Sequence, residues 1–203
     1  KLNKTLYGLA ISPREWYNLV KKELAKLGLK PDLDNTALMS DKDKTVFVNC
    51  HVDDVILVSL DKVKSQKIKE HLRKALQMTF EDISWYLQQH IVRSKDKLSI
   101  HQPLQIEKIK INEVRICPSV PLPSRSYKKN KLESETNYIT EKSKIKYFQS
   151  LVGSLLYIAR HVRPEISYVV NYLSRYATKL TPKRIEQAEQ VVMWLKKTKH
   201  KKL

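Results

Sequence analysis

The stretch TVFVNCHVDDVILVS, residues 45–59, decides the fold of the first part of the chain. β-Branched residues alternate with other residues before its acidic pair, and a second apolar run follows that pair. We expect four of these residues to share one buried face: Val46, Val48, Cys50 and Val52. The pattern predicts a strand, a tight turn that holds Asp53 and Asp54, and a second strand.

A helical pattern precedes this hairpin. Ser12, Pro13 and Glu15 have the form of a capping box with proline in the first turn, and Gly28 can provide a left-handed end. A helix is therefore predicted over residues 13–27. Its apolar stripe should face the core: Trp16, Leu19, Val20, Leu24 and Leu27.

Two further elements are predicted after the hairpin. A helix over residues 63–77 should turn four residues inward: Ile68, Leu72, Ala75 and Leu76. Residues 85–93 and 98–101 then predict a second hairpin.

The last part of the chain has only helical patterns. Residues 117–140 are rich in proline, serine and lysine and poor in apolar residues, which is typical of an exposed connection. Beyond them, three apolar stripes predict helices: Tyr147, Leu151, Leu155 and Ile158; Ile166, Val169, Val170 and Leu173 after Pro164; Ile185, Ala188, Val192 and Leu195 after Pro182. The predicted fold class is α+β, in three parts: residues 1–116, 117–140 and 141–203.

The net charge of +18 indicates a polyanionic partner, because lysine and arginine gain affinity for phosphates by releasing condensed counterions. Beyond residue 120 the chain holds 18 Lys and Arg against 6 Asp and Glu. The final lysines, including Lys196 and Lys197, are candidates for phosphate contacts. A merely solvated basic surface and tail is the alternative interpretation.

Cysteine content and hydropathy predict an intracellular location, in the cytoplasm or the nucleus. The two cysteines, Cys50 and Cys117, cannot form a disulfide framework, and no apolar run approaches the roughly 20 residues of a membrane span. Zinc binding by Cys50 and His51 is not expected, since neighbours on a strand point to opposite faces.

Adjacent carboxylates in a tight turn repel each other, and either solvation or a cation must offset that repulsion. Aspartate oxygens are the hard ligands that Mg²⁺ prefers, so Asp53 and Asp54 are candidate metal ligands. Aspartates also favour turns for their local hydrogen bonds, which is the simpler alternative.

Several ordered landmarks resemble the reverse transcriptases of copia-type retrotransposons. They are Leu6-Tyr7-Gly8-Leu9, Ser12-Pro13-Arg14-Glu15-Trp16-Tyr17, His51-Val52-Asp53-Asp54, Gly153-Ser154-Leu155-Leu156-Tyr157 and Val162-Arg163-Pro164-Glu165-Ile166. The resemblance implies part of a polymerase palm followed by a helical thumb or connection. It also implies RNA-directed DNA synthesis from nucleoside triphosphates on an RNA or DNA primer-template.

By the same resemblance, Asp53 and Asp54 are catalytic residues that hold Mg²⁺ or Mn²⁺, and Gly8 and His51 lie beside the nucleic acid. Three departures put contacts in doubt. Ala10 and Ile11 replace a Lys-Gln pair, His51 replaces a tyrosine, and Gln88 replaces the glycine of a turn that resembles the primer grip. An ordinary hairpin-face histidine is the alternative for His51.

The resemblance places the first catalytic aspartate and the fingers upstream of Lys1, and an RNase H region after the segment that ends at Thr198. The 203-residue chain alone is therefore expected not to synthesise DNA. The alternative function is a catalytically dead remnant that binds nucleic acid without sequence specificity. Six aromatic residues at helical spacing are assigned to the core and not to base stacking: Trp16, Tyr17, Tyr157, Tyr168, Tyr172 and Tyr176.

Overall fold

A computed structural model of the chain describes residue 6 and residues 8–112, 118–127 and 138–203. Its elements are antiparallel strands and helices, which confirms the α+β class. Two compact units are present, one ending at Asp82 and the other beginning at Ile83. Within the described ranges, no helix has both the length and the apolar character needed to cross a bilayer.

In its described part, the first unit contains two helices and a four-stranded antiparallel sheet of order β1-β2-β3-β4. The bounds are α1 Ser12–Ala25, β1 Lys30–Pro31, β2 Leu38–Ser40, β3 Val46–His51, β4 Asp54–Ser59 and α2 Lys62–Leu76. One apolar cluster joins helices and sheet: Val20, Leu24, Leu29, Met39, Val46, Val48, Cys50, Ile68 and Leu72.

Helix α1 lies where the sequence predicts it, but its start differs. Ile11 is the N-cap residue, and Ser12 lies inside the first turn, where its hydroxyl donates to the carbonyl of Leu6 at 2.6 Å. The predicted capping box is therefore wrong. Leu19 is 43% exposed, because the buried stripe runs through Val20 and Leu24. Gly28 has a φ of +81° and ends the helix as predicted.

Strands β3 and β4 form the predicted hairpin, with partners running from Val46↔Ser59 to His51↔Asp54. Val46, Val48 and Cys50 are buried as expected. Val52 is not, since it lies in the turn and is 51% exposed. The alternation of buried and less buried residues ends with β3 at His51, whereas the sequence pattern had extended it to Val52.

Asp61 is the N-cap of helix α2, and its carboxylate accepts hydrogen bonds from the backbone N–H groups of Val63 and Lys64. Ile68 and Leu72 face the core. Ala75, predicted to face inward, is exposed at the last turn.

Within the described residues, the second unit contains the sheet β5-β6-β7 and four α-helices. The bounds are β5 Trp85–Tyr86, β6 Gln89–Arg93, β7 Leu98–His101, α3 Pro103–Lys108, α4 Lys142–His161, α5 Ser167–Ser174 and α6 Pro182–Lys197. The predicted second hairpin and the three C-terminal helices are confirmed. Helix α3 was not predicted, since its six residues are too few for a periodic pattern.

The apolar stripes of α4, α5 and α6 form the core of this unit with α3 and Leu122. Of the aromatic residues assigned to the core, Tyr168 is an error, because its side chain is 69% exposed. Cys117 and part of the predicted connection, residues 128–137, lie outside the described residues. The connection as a domain boundary stays a prediction.

Candidate functional site

The turn between β3 and β4 consists of Val52 and Asp53, flanked by the paired residues His51 and Asp54. Val52 has a φ of +52°. A two-residue hairpin turn with positive φ at its first position normally uses glycine there, and a β-branched residue in that region is strained. Such strain concentrates at functional sites, because the surrounding structure must hold it in place.

The predicted site residues His51, Asp53 and Asp54 are all exposed at this tip. Two carboxylates on adjacent residues offer hard oxygen ligands to a divalent cation, so their chemistry fits Mg²⁺ or Mn²⁺. They supply only part of a coordination shell. Across the described residues, no group of three or more His, Cys, Asp or Glu is placed to hold a metal ion.

Cys50 is the last buried residue of β3 before the exposed tip. Its side chain is 5% exposed, and burial raises the pKa of its thiol. His51, the next residue, is exposed, so the two side chains lie on opposite faces of β3. The tip therefore follows a strand whose inner face is buried in the core.

The opposite end of the hairpin is anchored by Asp41. Its carboxylate accepts hydrogen bonds from the Thr45 and Val46 backbone N–H groups, at 2.7 and 3.0 Å, and from the Thr45 hydroxyl at 2.6 Å. Lys64 of α2 donates to the same carboxylate at 2.7 Å. The bond from Lys64, followed by that from Thr45, holds the pKa of Asp41 well below its usual range. This network ties α2 to the start of β3.

A second polar contact joins the two helices of the first unit. Glu23 of α1 is 7% exposed, and its carboxylate contacts Lys26 at 2.7 Å and the His71 Nε2 of α2 at 2.9 Å. The hydrogen bonds with Lys26 and then His71 lower the pKa of Glu23.

The segment before α1 carries the other candidate of the first unit. Gly8 has a φ of +93°, and a Cβ added at this position would meet no atom within 4 Å. Ala10 and Ile11, at the positions where the resemblance implies a Lys-Gln pair, are exposed, Ile11 by 59%. This segment therefore presents backbone and apolar groups at its surface. Tyr7 lies outside the described residues.

The turn that resembles the primer grip lies between β5 and β6. Its two central residues, Leu87 and Gln88, have φ values of +47° and +64°. A turn with both central residues in this region is type I′, for which Asn-Gly is preferred. The turn therefore forms without a glycine, at a cost in backbone strain.

Tyr157 of α4 supports this turn, because its hydroxyl donates to the Leu87 carbonyl at 3.0 Å. Two sequence landmarks, the turn and the Gly153–Tyr157 motif, thus meet in one place. The same motif lines a cavity of about 320 Å³ with α3: Gln105, Lys108, Ile109, Gly153, Ser154, Tyr157 and Ile158. The sequence predicted neither the hydrogen bond between Tyr157 and Leu87 nor the cavity. The available signal was that the turn and the Gly153–Tyr157 motif both belong to the segments that resemble the family.

Arg163, in the last landmark, is 1% exposed and joins the connection between α4 and α5 to the end of α6. Its guanidinium donates to Glu165 at 2.6 Å and to the carbonyl and hydroxyl of Thr198 at 3.1 and 2.7 Å. It also lies 5.0 Å from the Trp194 ring. This residue holds the helices together and is not available to a ligand.

Lys196 and Lys197 lie in the last turn of α6, the first half-buried and the second exposed. Two of the lysines that follow contact other residues of the second unit. Lys199 forms an ion pair with Glu107, and the Lys201 ammonium lies 5.3 Å from the Trp194 ring. The tail is therefore held against the second unit, and the candidates Lys196 and Lys197 belong to a different unit from the Asp53–Asp54 hairpin.

Comparison with known proteins gives one family match. Residues 1–121 match the model of the family described as reverse transcriptase (RNA-dependent DNA polymerase). That range includes the β3–β4 hairpin and the β5–β6 turn. No solved structure gives a significant match.

Three curated relatives align with nearly all of the chain. They are the retrovirus-related Pol polyprotein from transposon RE1 of Arabidopsis thaliana (26% identical over 205 residues, 96% of this chain), a transposon Ty5-1 protein of Saccharomyces cerevisiae (26% over 213 residues, 96%) and the Pol polyprotein from transposon TNT 1-94 of Nicotiana tabacum (29% over 210 residues, 98%). The chain spans 13%, 63% and 16% of their respective lengths.

Proposed function

Because the chain belongs to the reverse transcriptase (RNA-dependent DNA polymerase) family of copia-type retrotransposon Pol polyproteins, we propose that Asp53 and Asp54 are two metal-binding carboxylates of a polymerase active site. One observation carries the proposal. The pair occupies the exposed tip of a tight hairpin whose turn contains a strained Val52, inside the matched range.

The electrostatics of the tip support a cation. The two adjacent carboxylates place negative charge side by side at an exposed tip, and a divalent ion held there would offset it. When bound, such ions supply positive charge to the attacking and leaving oxygens of phosphoryl transfer. The chain's own part is to hold the two carboxylates on a strand whose inner face, through Val48 and Cys50, is buried.

We further propose the palm and thumb assignment. Residues 1–116 would form part of a palm, residues 117–140 a linker, and residues 141–203 a helical thumb or connection. The antiparallel hairpin with helices packed against one face supports the first assignment. The partners would be a primer-template and nucleoside triphosphates, and the location would be intracellular.

The 203-residue chain by itself would not extend a primer. Its described residues supply two carboxylates and no third ligand, and no aspartate precedes Asp32 in the sequence. Two-ion catalysis needs a fuller set of ligands to balance the charge that develops in the transition state.

Manganese relaxation tests the metal proposal independently of activity. Mn²⁺ added to ¹⁵N-labelled chain should broaden the amide signals of residues 52–55 at the lowest concentrations. Asp53→Asn and Asp54→Asn should each remove this broadening. Asp96→Asn, which alters an exposed aspartate at the β6–β7 turn, is the matched control and should leave it unchanged. Broadening that starts elsewhere and ignores both variants would refute the metal site.

Primer extension on poly(rA)·oligo(dT) tests the catalytic part. The chain alone should give no incorporation above background with Mg²⁺ or Mn²⁺. A longer polypeptide that includes the upstream polymerase segment should incorporate nucleotides, and Asp53→Asn should abolish that activity while Asp96→Asn should not. Incorporation by the 203-residue chain, lost in Asp53→Asn, would contradict the proposed inactivity.

A second candidate function is non-specific nucleic-acid binding by a catalytically dead remnant. The observation in its favour is the charge distribution, with 18 basic against 6 acidic residues beyond position 120. Phosphate attraction needs only suitably placed positive charge, so it survives the loss of catalytic ligands. A measurable, salt-sensitive affinity without polymerisation in the longer polypeptide would select this candidate.

A further inference from the structure

Two histidines meet on the sheet of the second unit. His90 of β6 and His101 of β7 are cross-strand partners, and the His90 Nδ1 lies 2.6 Å from the His101 Nε2. Their ring centroids are 4.6 Å apart, and Trp85, the partner of His90 on β5, stacks on the His90 ring at 4.7 Å. Because successive side chains of a strand point to opposite faces, this row of three rings lies on the face opposite the buried Ile91.

The contact between the two rings depends on how many protons they share. A neutral imidazole has one N–H and one bare nitrogen, so one ring can donate to the other as long as at most one of them is protonated. When both are protonated, both facing nitrogens carry a proton and neither can accept. Two N–H groups cannot face each other at 2.6 Å, so a second proton must separate the rings.

The surroundings of His101 also oppose its protonation. Its Nδ1 is buried without a hydrogen-bond partner, so an imidazolium there would carry an unpaired buried donor. The charges that act on this ring are those of His90 on β6 and Lys202 on the segment after α6, and Trp85 on the β5 side does not ionise. Neither histidine forms an ion pair with a carboxylate in the described part of the chain. Burial, followed by the charges of His90 and Lys202, lowers the pKa of His101.

The segment after α6 is attached to the same strand. Leu203 and Ile100 exchange two backbone hydrogen bonds, at 3.1 and 3.0 Å, as a hydrogen-bonded pair of an antiparallel ladder does. Ile100 directly precedes His101, so a shift of the histidine displaces the backbone that makes these bonds. Three lysines of the segment also have contacts in this unit: Lys199 pairs with Glu107, Lys201 lies over the Trp194 ring, and Lys202 acts on His101.

We propose that the His90–His101 pair is a pH-sensitive clasp, which holds residues 199–203 against β7 near neutral pH and releases them in acid. A second proton separates the two rings and places another positive charge beside Lys202. The bonds between Ile100 and Leu203 then lose the strand position on which they depend. The proposal is independent of both proposed functions, since it requires neither a metal ion nor a nucleic acid.

The direction of the pH effect follows from His101. The folded chain favours the neutral ring, whereas an unfolded chain protonates histidine near pH 6.5. The stabilising contribution of the neutral ring is therefore complete above about pH 6.5 and is lost as the pH falls below that value toward the lower pKa of the folded chain. The clasp opens in acid and stays closed in base.

Hydrogen exchange at the Ile100 amide, which donates to Leu203, tests the proposal in the 203-residue chain. Its protection factor, which divides out the intrinsic pH dependence of exchange, should fall about tenfold between about pH 7.5 and about pH 5. The Leu155 amide, inside α4, is the internal reference and should keep its protection. His90→Gln and His101→Gln each replace a ring with an amide that forms hydrogen bonds but does not ionise, so each should remove most of the fall.

His200→Gln is the matched control, because His200 is an exposed histidine of the same segment. It should leave the fall in Ile100 protection unchanged. A nuclear magnetic resonance titration of the His101 ring gives a second readout, and the fall should coincide with protonation of that ring. Equal Ile100 protection at both pH values, a fall that persists in His90→Gln and His101→Gln, or a fall that disappears in His200→Gln would each overturn the proposal.

Discussion

The Tyr157 hydroxyl donates a hydrogen bond of 3.0 Å to the carbonyl of Leu87, 70 residues earlier in the chain. The contact joins α4 to the strained turn between β5 and β6. Because the Tyr157 ring also packs 4.3 Å from His161, its position is fixed by the helix that carries it. The turn is therefore held from outside its own hairpin.

Removal of this hydroxyl should weaken the second unit. Tyr157→Phe keeps the ring and deletes one hydrogen bond, so we expect the free energy of unfolding to fall by about 1 kcal/mol. Urea denaturation followed by circular dichroism measures this change. Tyr138→Phe, at an exposed tyrosine, is the control and should stay within about 0.5 kcal/mol of the parent. No difference between the two variants would show that the Tyr157 bond contributes nothing.

A glycine at the second turn position should stabilise the hairpin. Gln88 has a φ of +64°, a region that costs a residue with a Cβ about 1 kcal/mol and that glycine occupies freely. After allowance for glycine's greater freedom in the unfolded chain, Gln88→Gly should raise the free energy of unfolding by roughly 0.5 kcal/mol. Gln89→Gly, in the extended strand β6, should lower it. A loss of stability in Gln88→Gly would mean that the Gln88 side chain has a role of its own.

The local sequence pattern correctly predicted the position of most helices and strands. It failed where a tertiary contact or the geometry of a turn determines the position of a residue. The period-two run predicted the β3–β4 hairpin, but only the two-residue loop length shows that Val52 belongs to the turn. Ser12 fits a cap by sequence, yet its hydroxyl donates to Leu6 instead. Ala75 was placed inward by extending the α2 stripe to the helix end, where no neighbour covers it.

The candidate site was predictable only in its local part. Asp53 and Asp54 stand together because they are adjacent on one hairpin, and the sequence pattern fixes that. The roles of Tyr157 and Arg163 depend on residues far away in the chain, Leu87 and Thr198, and no periodicity carries that information. Because both residues lie in family landmarks, the sequence indicated that they matter. It did not indicate which residues they contact.

The Asp41–Lys64 network gives a prediction with a defined pH dependence. The pKa of Asp41 is lowered in the folded chain, so the folded state favours the ionised carboxylate. Its stabilising contribution is therefore complete above the ordinary aspartate pKa, roughly 4, and is lost as the pH falls below that value toward the folded one. Asp41→Asn should lower the urea midpoint at pH 7, and the difference from the parent should shrink at pH 3.

The control for this pH series is Asp34→Asn, at an exposed aspartate of the same unit. It should change the midpoint little at either pH. A difference between Asp41→Asn and the parent that is equal at pH 7 and pH 3 would show that Asp41 acts through packing or neutral hydrogen bonds, not through its charge.

Duplex binding should depend on Lys196 and Lys197, whose side chains project from the last turn of α6 in the basic part of the chain. The double variant Lys196→Ala, Lys197→Ala should weaken binding to any duplex sequence alike, because phosphate contacts carry no base information. If both lysines contact phosphates, the slope of log affinity against log salt should become shallower by about 2. Fluorescence anisotropy at several salt concentrations measures both quantities. The matched double variant Lys67→Ala, Lys74→Ala removes the same charge from exposed positions of α2 in the first unit and should leave the slope unchanged. If both double variants reduce affinity and slope equally, only net charge matters, and Lys196 and Lys197 do not form a distinct contact surface.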